Sequence, residues 1–246
     1  MFVEKTNSTN TLLKELLAKG EWPEDERYLR AGFQTAGRGQ TGNTWESEEG
    51  KNLLCSILLQ PRKELFELNM LVSVAVHRMI SQELIANSQQ LSIKWPNDIY
   101  WQDKKVAGIL VENAIIGSEV RYSIAGVGLN VNQTQWKTDA PNPISLKQIT
   151  GKEYDIDALM QRLLNEIERA EKKDVRAYYK AHLFRRDGFW PFVEREVSVA
   201  PTMNAADDKD AFLARITDVL PTGEIILTDQ QGKERKYHFK QIRYVL

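Results

Sequence analysis

Leu91-Ser92-Ile93-Lys94-Trp95-Pro96-Asn97-Asp98 is the stretch on which the fold turns. Alternation places Leu91, Ile93 and Trp95 on one face of a strand and Lys94 on the other. Pro96 holds Trp95 extended. Val106–Val111 is a second apolar strand, and the polar turn Gln102-Asp103-Lys104 predicts a hairpin between the two. Arg121–Val131 adds a third extended stretch.

Upstream, Ser8 or Asn7 caps an expected helix whose apolar positions Leu12, Leu13, Leu16 and Leu17 run to Gly20. Tyr28–Gln34 reads as extended, a loop with Gly37, Gly39 and Gly42 comes next, and Leu53–Leu59 is an apolar strand. From Glu67 to Leu84 the spacing of Leu68, Leu71, Val72, Ala75, Val76, Met79 and Ile80 predicts an amphipathic helix. Downstream, Asp155 caps a second long helix marked by Ile156, Leu159, Leu163, Ile167 and Ala170, expected to run to about Asp187. After Gly188 come short β-like stretches at Val193–Val199, Phe212–Val219, Glu224–Thr228 and Lys236–Val245. The spacing suggests a small β-barrel after an α+β domain, with the boundary near residues 187–192.

Composition narrows the function. The 246 residues carry 33 Lys and Arg against 34 Asp and Glu, a net charge of −1, which argues against a general phosphate-backbone binder. One cysteine, Cys55, fits a reducing compartment, so a cytoplasmic protein is expected. The apolar runs are too short for a membrane span, and no membrane partner is expected.

Three stretches carry the chemistry. Gly37-Arg38-Gly39-Gln40-Thr41-Gly42 matches a dinucleotide pattern, but Asn43-Thr44-Trp45 and the acidic run after it have no helical period for the pattern to open. It is not a Walker loop, and no kinase motif accompanies it. Its glycines let backbone amides approach a ligand, with Arg38 as a fixed positive fork; otherwise it is a tight surface turn. Lys94, amid an apolar strand, either snorkels to water or meets an anion, and Lys105 is a second candidate anion clamp or a solvated turn charge. Gly126 and Gly128 share a face, making a notch for a flat ring or room for a neighbouring helix or a bulge. Asn130 continues that face with a donor and an acceptor. His77, His182 and His238 are far apart in sequence without metal-ligand spacing, so no protein metal site is expected. Cys55 reads as a buried, inert thiol. Cations and glycines without an acid–base pair suit activation of a carboxylate on a nucleotide phosphate.

Ser8-Thr9-Asn10, Gln34 to Gly39 with Gly42 and Trp45, Lys94 to Asp98, Lys105 to Glu112, and Gly126 to Asn132 occur in an order that resembles the biotin–protein ligases. The resemblance implies a mixed-sheet catalytic domain of the biotin/lipoate ligase type over residues 1–190. A small SH3-like β-barrel over residues 191–246 would follow it. It implies formation of biotinyl-5′-AMP from biotin and ATP, then transfer to a lysine of a biotin carboxyl carrier protein. Ser8, Thr9, Asn10, Gln34, Arg38, Gly39, Gln40, Lys94, Gly126 and Gly128 would bind biotin. Arg38, Trp45, Lys94, Asn97, Lys105 and Asn130 would bind ATP, with Lys94 and Arg38 as the catalytic pair. Mg²⁺ would ride mainly on the triphosphate and water. The implied assembly is a monomer or weak homodimer.

Many members carry arginines where this chain has Gln40 and Asn43, leaving Arg38 as the loop's cation. Some members carry an N-terminal DNA-binding arm. With motifs beginning within ten residues of Met1, a form without that arm is expected. The rival enzyme is a lipoate or octanoate ligase or transferase. A rival of another class is a binding module built on the barrel, whose segment from Phe192 holds eight basic and nine acidic residues and so lacks a basic footprint.

Overall fold

A short strand, β1 (Phe2–Thr6), pairs parallel with β2 (Tyr28–Gln34), and helix α1 (Thr9–Lys19) makes the crossover between them. Parallel neighbours need such a crossover because tight turns join only antiparallel strands. Ser8 is the N-cap of α1, and Gly20, left-handed at φ 71°, closes it. The structure, a computed structural model, describes residues 1–40, 43–62, 64–84, 88–117, 119–137, 142–195 and 210–245. β3 (Leu53–Leu59) and α2 (Phe66–Glu83) come next, then β4 (Leu91–Lys94), β5 (Asp98–Trp101), β6 (Lys104–Ile116) and β7 (Glu119–Leu129). Three helices succeed them, α3 (Leu146–Thr150), α4 (Ile156–Glu171) and α5 (Arg176–Ala181). The last strands are β8 (Trp190–Glu194), β9 (Phe212–Val219), β10 (Ile225–Asp229), β11 (Glu234–Tyr237) and β12 (Ile242–Tyr244).

Two sheets result. The first runs β1-β2-β3-β7-β6-β5-β4 and is mixed, antiparallel except at β1–β2. The second, antiparallel throughout, runs β11-β10-β9-β8-β12. Where an SH3-like barrel was expected, the described residues form this five-stranded sheet. Part of the expected strand Val193–Val199 lies outside the described residues, as do Thr41 and Gly42 of the glycine loop.

Four expectations are corrected. The hairpin turn at Gln102–Asp103 joins β5 to β6 rather than β4 to β6, because Asp98–Trp101 forms a strand of its own paired to both neighbours. The second long helix stops at Glu171; the charged run Lys172-Lys173-Asp174 has no apolar position to bury, and α5 starts afresh at Arg176. Lys236–Val245 is two strands, separated by a turn in which Gln241 N–H donates to the His238 carbonyl and Lys240 is left-handed at φ 73°. Finally, α2 is buried nearly all round rather than on one stripe, because it is sandwiched between the sheet and α4. The amphipathic cover is α4, which turns Leu159, Met160, Leu163, Ile167 and Ala170 inward.

One apolar core joins both sheets, running from Leu53 and Ile57 through Met79, Ile93 and Leu163 to Phe192, Leu227 and Tyr244. The opposite face of the first sheet is covered by α1 and by the glycine loop, and the site lies there.

Candidate active site

Strand register builds the floor. Gly108 stands opposite Gly128, and Leu110 and Ser56 stand on either side of Gly126. At both glycines of the notch the structure packs another part of this chain. A Cβ on Gly126 would sit 2.6 Å from Asn10 Oδ1, so this glycine makes room for helix α1. A Cβ on Gly128 would sit 2.5 Å from the Trp45 indole, so the flat ring over that end is one from the chain itself. Asn10 cannot step aside: Ser56 Oγ donates to its Oδ1 at 2.5 Å, and its Nδ2 donates to Glu112 Oε2 at 2.7 Å. Overpacking against so fixed a group costs about 1–3 kcal/mol. Gly126→Ala should therefore lower the melting midpoint by roughly 2–12 °C at this chain length. Gly128→Ala meets the Trp45 indole, whose ring makes no hydrogen bond among the described residues, and should cost less; thermal unfolding of both proteins decides it.

Among its described residues the loop from Thr35 is irregular, as expected, and they open no helix. Thr35 and Ala36 N–H groups donate to the Thr6 and Asn7 carbonyls, so the loop starts alongside the N-terminus of α1. Its limbs close through Gly39 N–H to Asn43 O and Trp45 N–H to Gly37 O, both 2.9 Å. Thr9 donates to Gln34 Oε1 through its backbone N–H at 2.7 Å and its hydroxyl at 3.1 Å. Arg38 reaches Glu112 Oε2 at 3.0 Å, and Gln40 Nε2 donates to Asn97 Oδ1 at 3.1 Å. The Trp45 indole N–H is buried without a partner among the described residues.

Ser8, Thr9, Asn10, Gln34, Arg38, Gly39, Gln40, Trp45, Lys105, Gly126 and Gly128 therefore line one cavity. Lys94, Asn97 and Asn130 do not. Asn97 is buried behind the wall, its Nδ2 on the Ile109 carbonyl and its Oδ1 holding Gln40. Asn130 ties β6 to the segment before α3 through the Lys105 and Ile144 carbonyls, and its Oδ1 is buried and unpartnered among the described residues. Lys94 points away from Leu91, Ile93 and Trp95, as alternation requires, and donates to the Tyr100 hydroxyl at 3.1 Å. Burial pushes its ammonium down to about 8; Asp98 opposes the shift, and Lys105, Arg185 and Arg243 add to it. Lys105 is no solvated turn charge, since its Nζ is 2.8 Å from Asp98 Oδ2.

Two carboxylates had no role in the sequence reading. Asp98 lines the cavity and holds Lys105. Glu112 gathers Lys14 at 2.6 Å, Asn10 and Arg38. Burial pushes the Glu112 carboxyl up, yet hydrogen bonds from Lys14 and Asn10 and the charges of Lys14 and Arg38 hold it below its usual value. The signal for it was present: period two carries the glycine face from Gly108 through Leu110 to Glu112.

Elsewhere, His77 and His182, distant in sequence, meet with ring centroids 4.8 Å apart beside Tyr178. Burial, with His182 nearby, pushes His77 down to about 4, which keeps it neutral at ordinary pH. Among the described residues no group of three or more His, Cys, Asp or Glu converges. Cys55 is buried, and burial pushes its thiol up to about 12.

Comparison with known proteins places this arrangement. The sequence profile of the biotin/lipoate A/B protein ligase family matches residues 2–130. The bifunctional ligase/repressor BirA of Bacillus subtilis (strain 168) is 30% identical over 233 residues, covering 90% of this chain and 67% of that protein. The protein of the same name from Bacillus spizizenii is 29% identical over 246 residues, covering 96% of this chain and 71% of its own. In fold, the chain is similar to the biotin protein ligase from Aquifex aeolicus solved with biotin and ATP, with a TM-score of 0.76 and 22% identity. That likeness covers 100% of this chain and 98% of the other. A mixed sheet with its glycine floor under α1, matched over residues 2–130 and extended by the Bacillus relative along most of the sequence, places this chain in the biotin/lipoate A/B protein ligase family.

Proposed function

We propose that the chain is an ATP-dependent ligase that activates biotin as biotinyl-5′-AMP and transfers it to a lysine of a biotin carboxyl carrier protein. The observation that carries this reading is the cavity itself: a glycine floor, the start of α1 and a loop arginine converge there. Ser8, Thr9, Asn10 and Gln34 would hydrogen-bond the ureido ring, in a cavity whose floor includes Gly126 and Gly128. Arg38, Gly39 and Gln40 would close over the ligand. Trp45 Nε1, a donor in the cavity wall, and Asn130 Oδ1, an acceptor outside it, have no hydrogen-bond partner among the described residues, and we assign both to the edge of an adenine ring. Asn97 acts through Gln40, and a phosphate would compete with Asp98 for Lys105.

In the first step a biotin carboxylate oxygen attacks the α-phosphorus of ATP, and the bond to the bridging oxygen breaks with its electron pair leaving on pyrophosphate. Lys94 and Arg38 would neutralise the charge that gathers there. In the second step the neutral amine of the carrier lysine attacks the acyl carbon, AMP leaves with the bonding pair, and the amine loses a proton. Mg²⁺ would accompany the triphosphate. Its oxygens and water would hold the ion, since the cavity carboxylate Asp98 is engaged by Lys105.

The carrier is the partner we assign; the charge balance of −1 weighs against nucleic acid. No helix is long and apolar enough to cross a membrane among the described residues. We further read residues 1–190 as the catalytic domain and 191–246 as a second one, in a cytoplasmic monomer or weak homodimer. Purified protein should support ATP–pyrophosphate exchange with biotin and not with lipoate or octanoate. Exchange with lipoate and silence with biotin would move the chain to the lipoate branch of its family.

A further inference from the structure

We propose that Tyr100 of β5 and Tyr244 of β12 form an aromatic box that positions the Lys94 ammonium, so that the C-terminal sheet supplies part of the active site. The inference rests on the reading of Lys94 as the residue that meets charge during adenylate formation. Lys94 Nζ lies 4.5 Å from the ring centroid of Tyr100 and 5.3 Å from that of Tyr244, both within cation–π range. The two tyrosines stand 144 positions apart and are brought together through Phe184, whose ring lies 5.3 Å from Tyr100 and 5.8 Å from Tyr244. Phe192, at 5.0 Å, fixes the other side of Tyr244. The Tyr244 hydroxyl is buried without a partner among the described residues, so what this side chain offers Lys94 is its ring face.

The box answers an electrostatic need. The Asp98 carboxylate, across the hairpin from Lys94, is engaged by Lys105 at 2.8 Å. The other charged groups facing Lys94 are Lys105 on β6, Arg185 after α5 and Arg243 on β12, all cations. Burial and these neighbours disfavour the ammonium, while the ring faces and the Tyr100 hydroxyl favour it without supplying a counter-charge that would cancel it. The same sheet grips the adjoining turn: Trp95 Nε1 donates to the Gly223 carbonyl at 3.1 Å, and the Trp95 and Phe239 rings lie 6.1 Å apart.

The test is the pH profile of biotin-dependent ATP–pyrophosphate exchange by the full chain, with biotin affinity and melting midpoint measured alongside. Tyr244→Leu removes the ring and keeps an apolar filler. Its alkaline limb should move down by roughly one pH unit. From a starting value of about 8, exchange at that pH should then fall about fivefold, while near pH 6 it stays within about twofold of the parent. Recovery at low pH in the same preparation separates this from misfolding. Tyr100→Phe, which loses the hydroxyl acceptor, should move the limb the same way, and Tyr244→Phe should restore the parent limb. A Tyr244→Leu protein with the parent profile, or with an equal loss at every pH, overturns the box while leaving Lys94 in its role. Normal exchange by Lys94→Ala overturns the reading of Lys94 and the box with it.

Discussion

Lys94→Ala should lower the rate of adenylate formation by about 10²–10³-fold, the usual effect of removing one group aimed at developing charge, while biotin affinity changes little. The asymmetry comes from position. Lys94 stands opposite Asp98 in the β4–β5 hairpin, on the cavity's face of the sheet, and does not line the space where the ureido ring would lie. An interaction realised only in the transition state appears in the rate and not in ground-state binding. The pH profile carries the same signature. Lysine is charged below its pKa, and burial brings that value from 10.5 to about 8, so activity should decline as the pH rises through about 8. Stability should respond in the opposite sense. Between about 8 and 10.5 the unfolded chain holds a proton at Lys94 that the folded chain does not, so this residue makes the fold more stable as pH rises through that window. Below it, the buried ammonium is a cost. Lys94→Met, which keeps the volume and drops the charge, should therefore melt no lower than the parent near pH 7 while losing as much rate. Single-turnover adenylation, a binding isotherm and a melting curve separate the three effects. Near-normal turnover in both variants would return Lys94 to a packing role.

What the sequence disclosed of this arrangement depended on distance along the chain. The alternation through Leu91, Ile93 and Trp95 placed Lys94 on the far face of its strand, because neighbours two residues apart share a face whatever the rest of the fold does. The same rule put Gly126 and Gly128 together. It also applied to Glu112, but a carboxylate on a strand face has no local reading. Its partners Lys14, Asn10 and Arg38 lie at least 74 residues away. β1 escaped notice because Phe2–Thr6 is a mostly exposed strand whose meaning comes from pairing with β2 across a helix. β5 escaped because Asp98-Ile99-Tyr100-Trp101, four residues between a proline turn and a polar turn, show no alternation of polar and apolar side chains. The breadth of burial on α2 was not visible either: α4, which covers its outer side, is read from a separate stretch. Motifs were legible where chemistry needs adjacent residues, and contacts were not where it needs distant ones. Tyr244, which comes within 5.3 Å of Lys94 from the far end of the chain, is the extreme case.

Arg38→Ala should release biotinyl-5′-AMP about 10–100-fold faster than the parent, with Gln40→Gly releasing it only about fivefold faster; the ratio is that between charge-assisted and neutral hydrogen bonds. The geometry separates the two side chains. Arg38 is half-exposed at the mouth of the cavity and is held at 3.0 Å by Glu112, a carboxylate that Lys14 and Asn10 already serve. Because Glu112 has those other donors, Arg38 can transfer its guanidinium to a ligand anion without stranding a bare buried charge. Gln40 is tied to Asn97 by a single neutral bond of 3.1 Å, and Asn97 is itself fixed on the Ile109 carbonyl. Gln40 thus anchors the loop to the turn after Lys94, whereas Arg38 supplies its charge. A glycine at position 40 loosens the anchor and adds backbone freedom that closing must then remove. Escaped adenylate acylates lysines wherever it meets them, so biotin labelling of a bystander protein should rise in the same order as release: parent, Gln40→Gly, Arg38→Ala. The measurement is adenylate release from preloaded enzyme alongside that labelling. Equal release from all three proteins would mean that the loop between Gly37 and Asn43 is an ordinary turn and that the cavity keeps its adenylate through the glycine floor and α1 alone.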